Sequence, residues 1–513
     1  MLNFISITYL ATSVWCFVLF LLDSHSCFGL HSNETDRLAY LAIKSQLQDP
    51  LGVTKSWNNS ISLCQWTGVT CGHRHRRVTK LVLRNQSIGG FLSPYVGNLS
   101  FLRFVNLASN NLHGEIPYEH GQLPPSIGNL SALQNIDIAG NRLHSRVPES
   151  LGQLRSLSFL DISENAFSGM FHSSIFNISS LELIYPLENR LEGSLPVNIG
   201  FSLPNLEDLS VRQNNYTGSL PHSLSNASNL QLLDLSLNHF SGQVKIDFNR
   251  LPNLFRLNFG KNNLGTGAIG DLDFIAHLTN CSKLEAFGLD TNIFGGVLPL
   301  SIANLSSTII LFTMGLNQIY GTIPPEVKNL VNLNGFGLEY NQLTGPIPHA
   351  IGELRNLQLR GNVPSSLGNC QNLMLLSVSN NKLTGALPPQ ILGILTLSIL
   401  LDLSGNLLTG SIPTEVGNLK NLVQLDLSEN HFSIEIPVSL SACTTLEYLY
   451  MEGNSVTGSI PLALNTLKSI KELDLSRNNL SGHIPEFLEN LSFNKMNETI
   501  NDFCHHKPKV FAK

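Results

Sequence analysis

Two stretches decide the fold: LVQLDLSENHFSIEIP (Leu422–Pro437) and IKELDLSRNNLSGHIP (Ile470–Pro485). Laid one on the other they give the frame L-x-x-L-x-L-x-x-N-x-L-x-G-x-I-P, which runs through most of the 513 residues. It places one asparagine in each unit, at Asn110, Asn141, Asn165, Asn189, Asn214, Asn238, Asn262, Asn292, Asn317, Asn341, Asn381, Asn406, Asn430, Asn454 and Asn478. Eight of the fourteen intervals between them are 24 residues and three are 25, a regularity that requires a repeat architecture. The L-x-L alternation reads as a short strand with its leucines inward and the intervening residues in solvent. One such strand cannot bury its own face. Successive units therefore stack about 4.8 Å apart, pairing into a parallel sheet and joining their leucines into one core. About sixteen units would make a stack roughly 75 Å long. The asparagine turns the chain out of the sheet while its amide bonds backbone groups of the bend, a structural ladder rather than a binding site. The following L-x-G-x-I-P supplies a second bend, with Gly free to take unusual φ and Pro ending regular pairing. The expected fold is an α/β solenoid, a curved right-handed superhelix with a parallel sheet on its concave side.

Composition agrees. Charged residues are only 13% of the chain, and asparagine (53) with leucine (90) fills the difference. Forty Gly and 24 Pro are near ordinary levels, which excludes collagen and Pro/Gly-rich disorder. A net charge of −6 argues against a broad nucleic-acid-binding surface, which needs clustered Lys and Arg.

The chain reads as exported. Ile5 to Leu22 is uncharged and mostly apolar and is followed by small and polar residues, so residues 1–29 resemble a cleavable signal peptide, although no Lys or Arg precedes Arg37. An uncleaved N-terminal anchor is the alternative, and no second apolar run of that length follows. Thirteen N-x-S/T acceptors fit the same route: Asn33, Asn58, Asn85, Asn98, Asn129, Asn177, Asn215, Asn226, Asn280, Asn304, Asn479, Asn490 and Asn497. An Asn- and Ser-rich repeat also generates such triplets by chance.

Residues 78–491 resemble the plant-specific class of extracellular leucine-rich repeats, and residues 30–77 resemble the N-terminal cap of plant receptor kinases. In that cap Glu34 to Leu47 reads as an amphipathic helix with Leu38, Leu41 and Leu47 inward, followed by WNNSISLCQWTGVTC. The resemblance implies a Cys64–Cys71 disulfide, with Trp57 and Trp66 covering the open core of the first repeat. Phrases such as VGNLSFLRFVNLASNNLHGEIP and GTGAIGDLDFIAHLTNCSKLEAFGLDTNIFGGVLP resemble the receptor-kinase subfamily containing the flagellin, elongation-factor-Tu and rice bacterial-blight receptors. That likeness implies a solenoid outside the cell at the plasma membrane, a peptide or protein ligand of microbial origin, a co-receptor kinase ectodomain as partner, no cofactor, and signalling through a membrane helix and a kinase.

The pattern breaks in places. Asn262 to Asn292 spans 30 residues and carries a loop insertion typical of that subfamily. Asn110 to Asn141 spans 31 and Asn341 to Asn381 spans 40, implying partial units near 118–130 and 351–370 that should stack with distortion. Pro186 occupies a core-leucine slot and should weaken its strand. Residues 492–513 read as an irregular tail where the family adds a cap, a membrane span and a kinase, so a truncated product is favoured over a mature secreted protein.

No catalytic constellation stands out, and an enzyme is not expected. Gly265, Gly267 and Gly270 spell G-x-G-x-x-G but lie in the insertion, without a βαβ context. HRD and DFG motifs are absent. Cys504, His505 and His506 lack metal-ligand spacing. Cys281, Cys370 and Cys443 share one slot in different repeats and read as buried single thiols. The basic run His73 to Arg77 reads as a solvated linker in preference to a glycosaminoglycan-like contact.

The solvent row of the sheet is where ligand information can reside. Most units place small or acidic residues there, but Asp208, Arg212, Arg256, Asn258, Lys261, Asp290, Glu339 and Tyr340 depart from that rule, and Tyr448, Tyr450 and Glu452 form a later aromatic patch. Arg grips carboxylates bidentately and Tyr gives contact area at little entropic cost, so the row is expected to hold an extended peptide with a carboxylate near Arg212 and Arg256. The runner-up is a soluble inhibitor of fungal wall-degrading enzymes, or a released decoy.

Overall fold

The computed structural model describes residues 34–113, 123–351, 373–490, 495–497 and 501–503, in two compact units, Met1–Tyr216 and Thr217–Lys513. The signal segment, the Asn33 acceptor, Cys370 and the Cys504-His505-His506 group lie outside the described residues.

The first unit opens with an α-helix over residues 34–44. Its buried face is Asp36, Ala39, Tyr40 and Ile43, one stripe at helical spacing. The inward leucines expected there are corrected: Leu38 is 55% exposed, Leu41 is only partly buried, and Leu47 lies beyond the helix in the strand Leu47–Gln48. Asp36 sets the phase. Its carboxylate accepts hydrogen bonds from Arg77 Nε (2.9 Å), Arg77 Nη2 (2.8 Å) and the Val78 amide (2.9 Å), so a buried charge is fully answered and rotates Leu38 outward. Behind the helix Trp57 and Trp66 stack at 6.1 Å with Tyr40 edge-on to Trp57 at 5.0 Å, all three buried. Cys64 and Cys71 form the expected disulfide.

From Val78 the repeats take over. Val78–Val82, Phe104–Asn106, Asn135–Asp137, Phe159–Asp161, Leu183–Tyr185 and Asp208–Ser210 pair in parallel succession within this unit. In the second unit the strands run from Leu232–Asp234 through Arg256–Asn258, Ala286–Gly288, Leu311–Thr313, Gly335–Gly337, Leu375–Ser377, Leu400–Asp402, Gln424–Asp426, Tyr448–Tyr450 and Glu472–Asp474 to Lys495–Asn497. The partners are consecutive in each case, and neither sheet closes into a barrel. After most ladder asparagines a second short strand pairs the same way, as His431–Glu435 does with Ser455–Gly458, whereas after Asn292 only a single bridge, Val297 to Tyr320, forms. On the far side run short 3-10 turns such as Pro125–Asn129 and Glu149–Gln153. Among the described residues no helix is long and apolar enough to cross a membrane.

The core is the stacked inward row. In the second unit Phe287, Phe312 and Phe336 replace leucine at one position and touch in sequence at 5.4 and 5.8 Å. Full burial of each such ring contributes roughly 1.5–3 kcal/mol.

The irregular intervals stack better than their lengths suggest. Across the 31-residue interval Phe104 still faces Asn135, and across the 40-residue interval Gly335 still faces Leu375, each over three residue pairs with no shift. The expected distortion is absent from the strands, because a register set by inward leucines and ladder asparagines tolerates any loop length between them. Pro186 does cost a ladder bond. The equivalent residue Ile162 donates its amide to Tyr185 O at 3.1 Å, a bond Pro186 cannot make, and pairing resumes at Glu188 N to Arg212 O at 2.8 Å. Within the stretch read as a tail, Lys495–Asn497 and Asp502–Phe503 pair as the two strands of a further unit. Asn501 acts as its ladder residue, accepting from Leu480 N at 3.0 Å and donating to Leu475 O at 2.9 Å. The sequence hides this unit because Glu498 stands where a core leucine belongs.

Candidate ligand-binding surface

Every ladder asparagine is consumed by backbone. Asn430, 3% exposed, accepts from Leu408 N (3.0 Å) and donates to Leu403 O (2.9 Å), Leu427 O (3.3 Å) and Ser428 O (2.9 Å), so one amide joins two neighbouring units. The acidic-and-small pattern of the strands is likewise internal. Asp426 Oδ1 accepts from the Ser428 amide at 3.0 Å and its hydroxyl at 2.6 Å, and Asp161, Asp234, Asp402 and Asp474 hold their serines the same way. The residues that depart from these two patterns are the remaining candidates for ligand contact.

In the first unit the two candidates are already engaged. Asp208 Oδ2 accepts from Tyr185 Oη at 2.5 Å, and Arg212 pairs with Glu188 at 2.5 Å. Burial, then the Asp208 carboxylate, raises the Tyr185 phenol.

In the second unit the candidates form two groups. Arg256 and Lys261 are exposed, Lys261 at φ 54° where the strand exits, and Asn258 turns back to accept from Gly260 N at 3.0 Å. Asp290 is held by Thr313 Oγ1 (2.5 Å) and Gly315 N (3.0 Å). Glu339 lies flat against the sheet: a Cβ on Gly337 would meet its Oε2 at 2.9 Å, that oxygen has no hydrogen-bond partner, and burial followed by the Asp290 and Asp402 charges raises its carboxyl. Tyr340, at φ 52°, is 52% exposed beside it. The later group is Tyr448, Tyr450 and Glu452. Tyr450 Oη donates to Glu472 Oε2 at 2.7 Å, Lys471 sits 5.9 Å from the Tyr448 ring, and burial, then Asp474 and Asp426, pushes Glu452 up to about 7.

Between these groups lies a strip that sequence reasoning missed. Gly288, Gly335 and Gly337 carry no side chain and are covered by their neighbours, Asn258 and Thr313 over Gly288, Leu311 over Gly335 and Glu339 over Gly337, while Leu311 (44%), Met374 (36%) and Ile399 (50%) expose apolar side chains along the strip. The available signal was a large apolar residue in an outward slot of the frame, as in NLMLLSV and LSILLDL.

Matches to known families follow the same division of the chain. A leucine rich repeat N-terminal domain covers residues 33–72, a leucine-rich repeat region 73–284, and single leucine rich repeats 399–419, 421–443, 445–467 and 469–491. This chain belongs to the leucine-rich-repeat family. Among its relatives is the LRR receptor-like serine/threonine-protein kinase EFR of Arabidopsis thaliana, 36% identical over 375 residues, a match covering 60% of this chain and 36% of that one. The chain thus spans about a third of that relative's length. Similar solved structures include the plant peptide hormone receptor RGFR1 in complex with RGF2, with 28% identity, a TM-score of 0.63 and coverage of 86% and 84%. The Arabidopsis receptor kinase HAESA ectodomain in complex with an IDA peptide hormone gives 26% identity, a TM-score of 0.65 and coverage of 93% and 87%.

Within this leucine-rich-repeat chain the other motifs are structural. The G-x-G-x-x-G loop closes on its own carboxylate: buried Asp271 accepts from Thr266 N, Thr266 Oγ1, Ala268 N and Gly295 N, leaving no cradle for a phosphate. Burial pushes the Cys281 thiol up to about 12 and the Cys443 thiol to about 11, as inert core groups. The acceptor asparagines Asn98, Asn129, Asn177, Asn226, Asn280 and Asn304 all end 3-10 turns, on the side opposite the strands. Asn215 and Asn479 are exposed in second strands, and Asn58 lies partly buried in the cap.

Proposed function

We propose that this chain is the extracellular recognition module of a plant receptor kinase and that the strand face of its second unit captures an extended peptide. The observation that carries this reading is the exposed apolar row of Leu311, Met374 and Ile399 on the strand face, bracketed by Arg256 and Lys261 on one side and Tyr448 and Tyr450 on the other. The apolar side chains supply contact area that a peptide would bury, and a guanidinium with a neighbouring ammonium suits a terminal carboxylate. Seven inter-strand spacings separate Arg256 from Tyr448, about 34 Å along the sheet, which about ten extended residues span. Of the acceptor asparagines in this unit, Asn226, Asn280 and Asn304 end 3-10 turns and Asn497 sits in the last strand, so none falls between Arg256 and Tyr450 on the strand face. The relatives named above support the class of ligand, and a co-receptor kinase ectodomain is the partner that class implies.

Arg212 is a poor test residue, because reversing its charge places two acids together at Glu188. The double variant Arg256→Glu/Lys261→Glu changes only exposed groups. It should weaken binding of peptides with a free C-terminus at least tenfold while leaving the melting temperature unchanged, and calorimetry against a synthetic peptide panel reads it. Equal affinity for the variant would remove Arg256 and Lys261 as the carboxylate clamp. Inhibition of a fungal polysaccharide hydrolase by the intact chain would favour the inhibitor reading instead.

A further inference from the structure

The basic run at His73–Arg77 is part of a built cavity in the first unit. The strand Val69–Cys71 pairs antiparallel with Val78–Val82, so the turn between them overhangs the first strands of the sheet. The Cys64–Cys71 disulfide and two backbone bonds, Gly72 N to Arg77 O (2.9 Å) and Arg76 N to Gly72 O (3.0 Å), hold that turn in place. Beneath it opens a cavity of about 910 Å³ whose lining contains Arg74, Arg77, Lys80 and Arg103 and no carboxylate. Arg77 alone is neutralised, by the buried Asp36, and its guanidinium lies 4.6 Å from the Phe101 ring. Arg74, Lys80 and Arg103 are exposed and have no ion-pair partner among the described residues. A chain of net charge −6 has gathered uncompensated cations here.

The other lining groups specify the ligand further. Phe101 is 41% exposed and Phe104 partly so, with Lys80 Nζ 5.7 Å from the Phe104 ring. Gln134, Asn135 and Ser158 add amides and a hydroxyl along one wall. Cations bind carboxylates, ring faces receive the C–H faces of sugars, and amides and hydroxyls exchange hydrogen bonds with ring hydroxyls. The volume falls in the range of small-ligand sites. We propose that this cavity binds an acidic oligosaccharide, its uronic carboxylates on Lys80, Arg103 and Arg74 and a sugar ring against Phe101. An acidic peptide would use the cations and the amide wall but offers no flat C–H face to the exposed ring, so the sugar is the better fit. This site goes beyond the peptide face of the second unit and is independent of it.

The experiment is calorimetry of the full secreted chain with a tetragalacturonate probe, its methyl-esterified form, and hexaglutamate. The acid sugar should bind, the ester and the peptide should bind at least tenfold more weakly, and affinity should fall as salt rises. Lys80→Glu/Arg103→Glu should abolish binding with an unchanged melting temperature, and Lys80→Gln/Arg103→Gln should weaken it if the reversal disturbs folding. Phe101→Ala should lower affinity about tenfold with the same salt dependence. No binding of tetragalacturonate by the wild type overturns the proposal. Hexaglutamate binding as tightly, or indifference to Phe101→Ala, would show a plain charged surface and overturn it too. Loss of peptide capture at Arg256 and Lys261 would leave this result untouched, so the two readings fail separately.

Discussion

A single asparagine carries the repeat. Asn430 accepts from one backbone amide and donates to three backbone carbonyls, sharing Leu403 O with Asn406, Leu427 O with Asn454 and Ser428 O with the Gly405 amide, so that neighbouring units are tied through common acceptors. Asn430→Ala removes all four bonds and should destabilise the chain by about 2 kcal/mol. Asn430→Asp is isosteric but turns an acceptor toward three carbonyls, so its cost should be larger, about 3 kcal/mol or more. Urea denaturation of both variants checks the order, and an aspartate no worse than alanine would show that the amide donors contribute little. The ladder was legible in the sequence because one side chain meets one backbone need in every unit. The conformation just before it was not. Ser109, Glu164, Leu237, Thr291 and Leu316 all take φ between 50° and 57°, yet they share no chemistry that marks a left-handed residue. The stacking around them imposes that conformation, and stacking is invisible in any one unit.

Elements succeed or fail by how closely they stack. At Gly128, in the turn Pro125–Asn129, an added Cβ would sit 2.5 Å from the Ser150 carbonyl oxygen and 2.6 Å from its Cβ, both in the next unit. Gly128→Ala should therefore push two 3-10 turns apart and cost roughly 2–3 kcal/mol. Gly242, at φ 81° with nothing within 4 Å of the built Cβ, is the control: alanine there meets only backbone strain, about 1 kcal/mol. Equal losses at the two sites would mean that turn packing is not tight. The same contrast explains which elements the sequence announced. Strands followed from leucine spacing, even across intervals of 31 and 40 residues, because their register is set at both ends. The cap helix was placed correctly but rotated wrongly, since its phase depends on Asp36 meeting Arg77 some forty residues away. The candidate site was half legible: charged and aromatic departures from the frame stood out, whereas the apolar row gains meaning only once its strands lie side by side.

Across the whole molecule the acids of the sheets set the response to pH. Burial, reinforced by Asp161, holds Asp137 above the usual carboxylate range in the first unit. In the second, burial with neighbouring acids does the same to Glu339 and Asp426 and lifts Glu452 to about 7. A carboxyl whose folded pKa exceeds its unfolded one takes up protons on folding, so its favourable share is complete below the unfolded value and disappears as pH climbs through the folded one. Asp49 and Asp271 act in the opposite sense. Burial works against their charge, but hydrogen bonds from Thr54 and Val53, and from Thr266 and Gly295, outweigh it and leave both below the ordinary value. Their contribution is lost only in more acidic solution. The raised carboxyls therefore predict an optimum at mildly acidic pH rather than at neutrality. Melting temperature should rise by a few degrees between about pH 7.5 and about pH 5 and decline again at lower pH. Glu452→Gln keeps the side-chain volume and removes the titration, so it should raise the melting temperature at the higher pH, leave it nearly unchanged at the lower, and flatten the slope between them. A wild-type melting temperature that falls on going from pH 7.5 to 5, or a variant with an unaltered slope, would mean that solvent and local rearrangement already screen these carboxylates from one another.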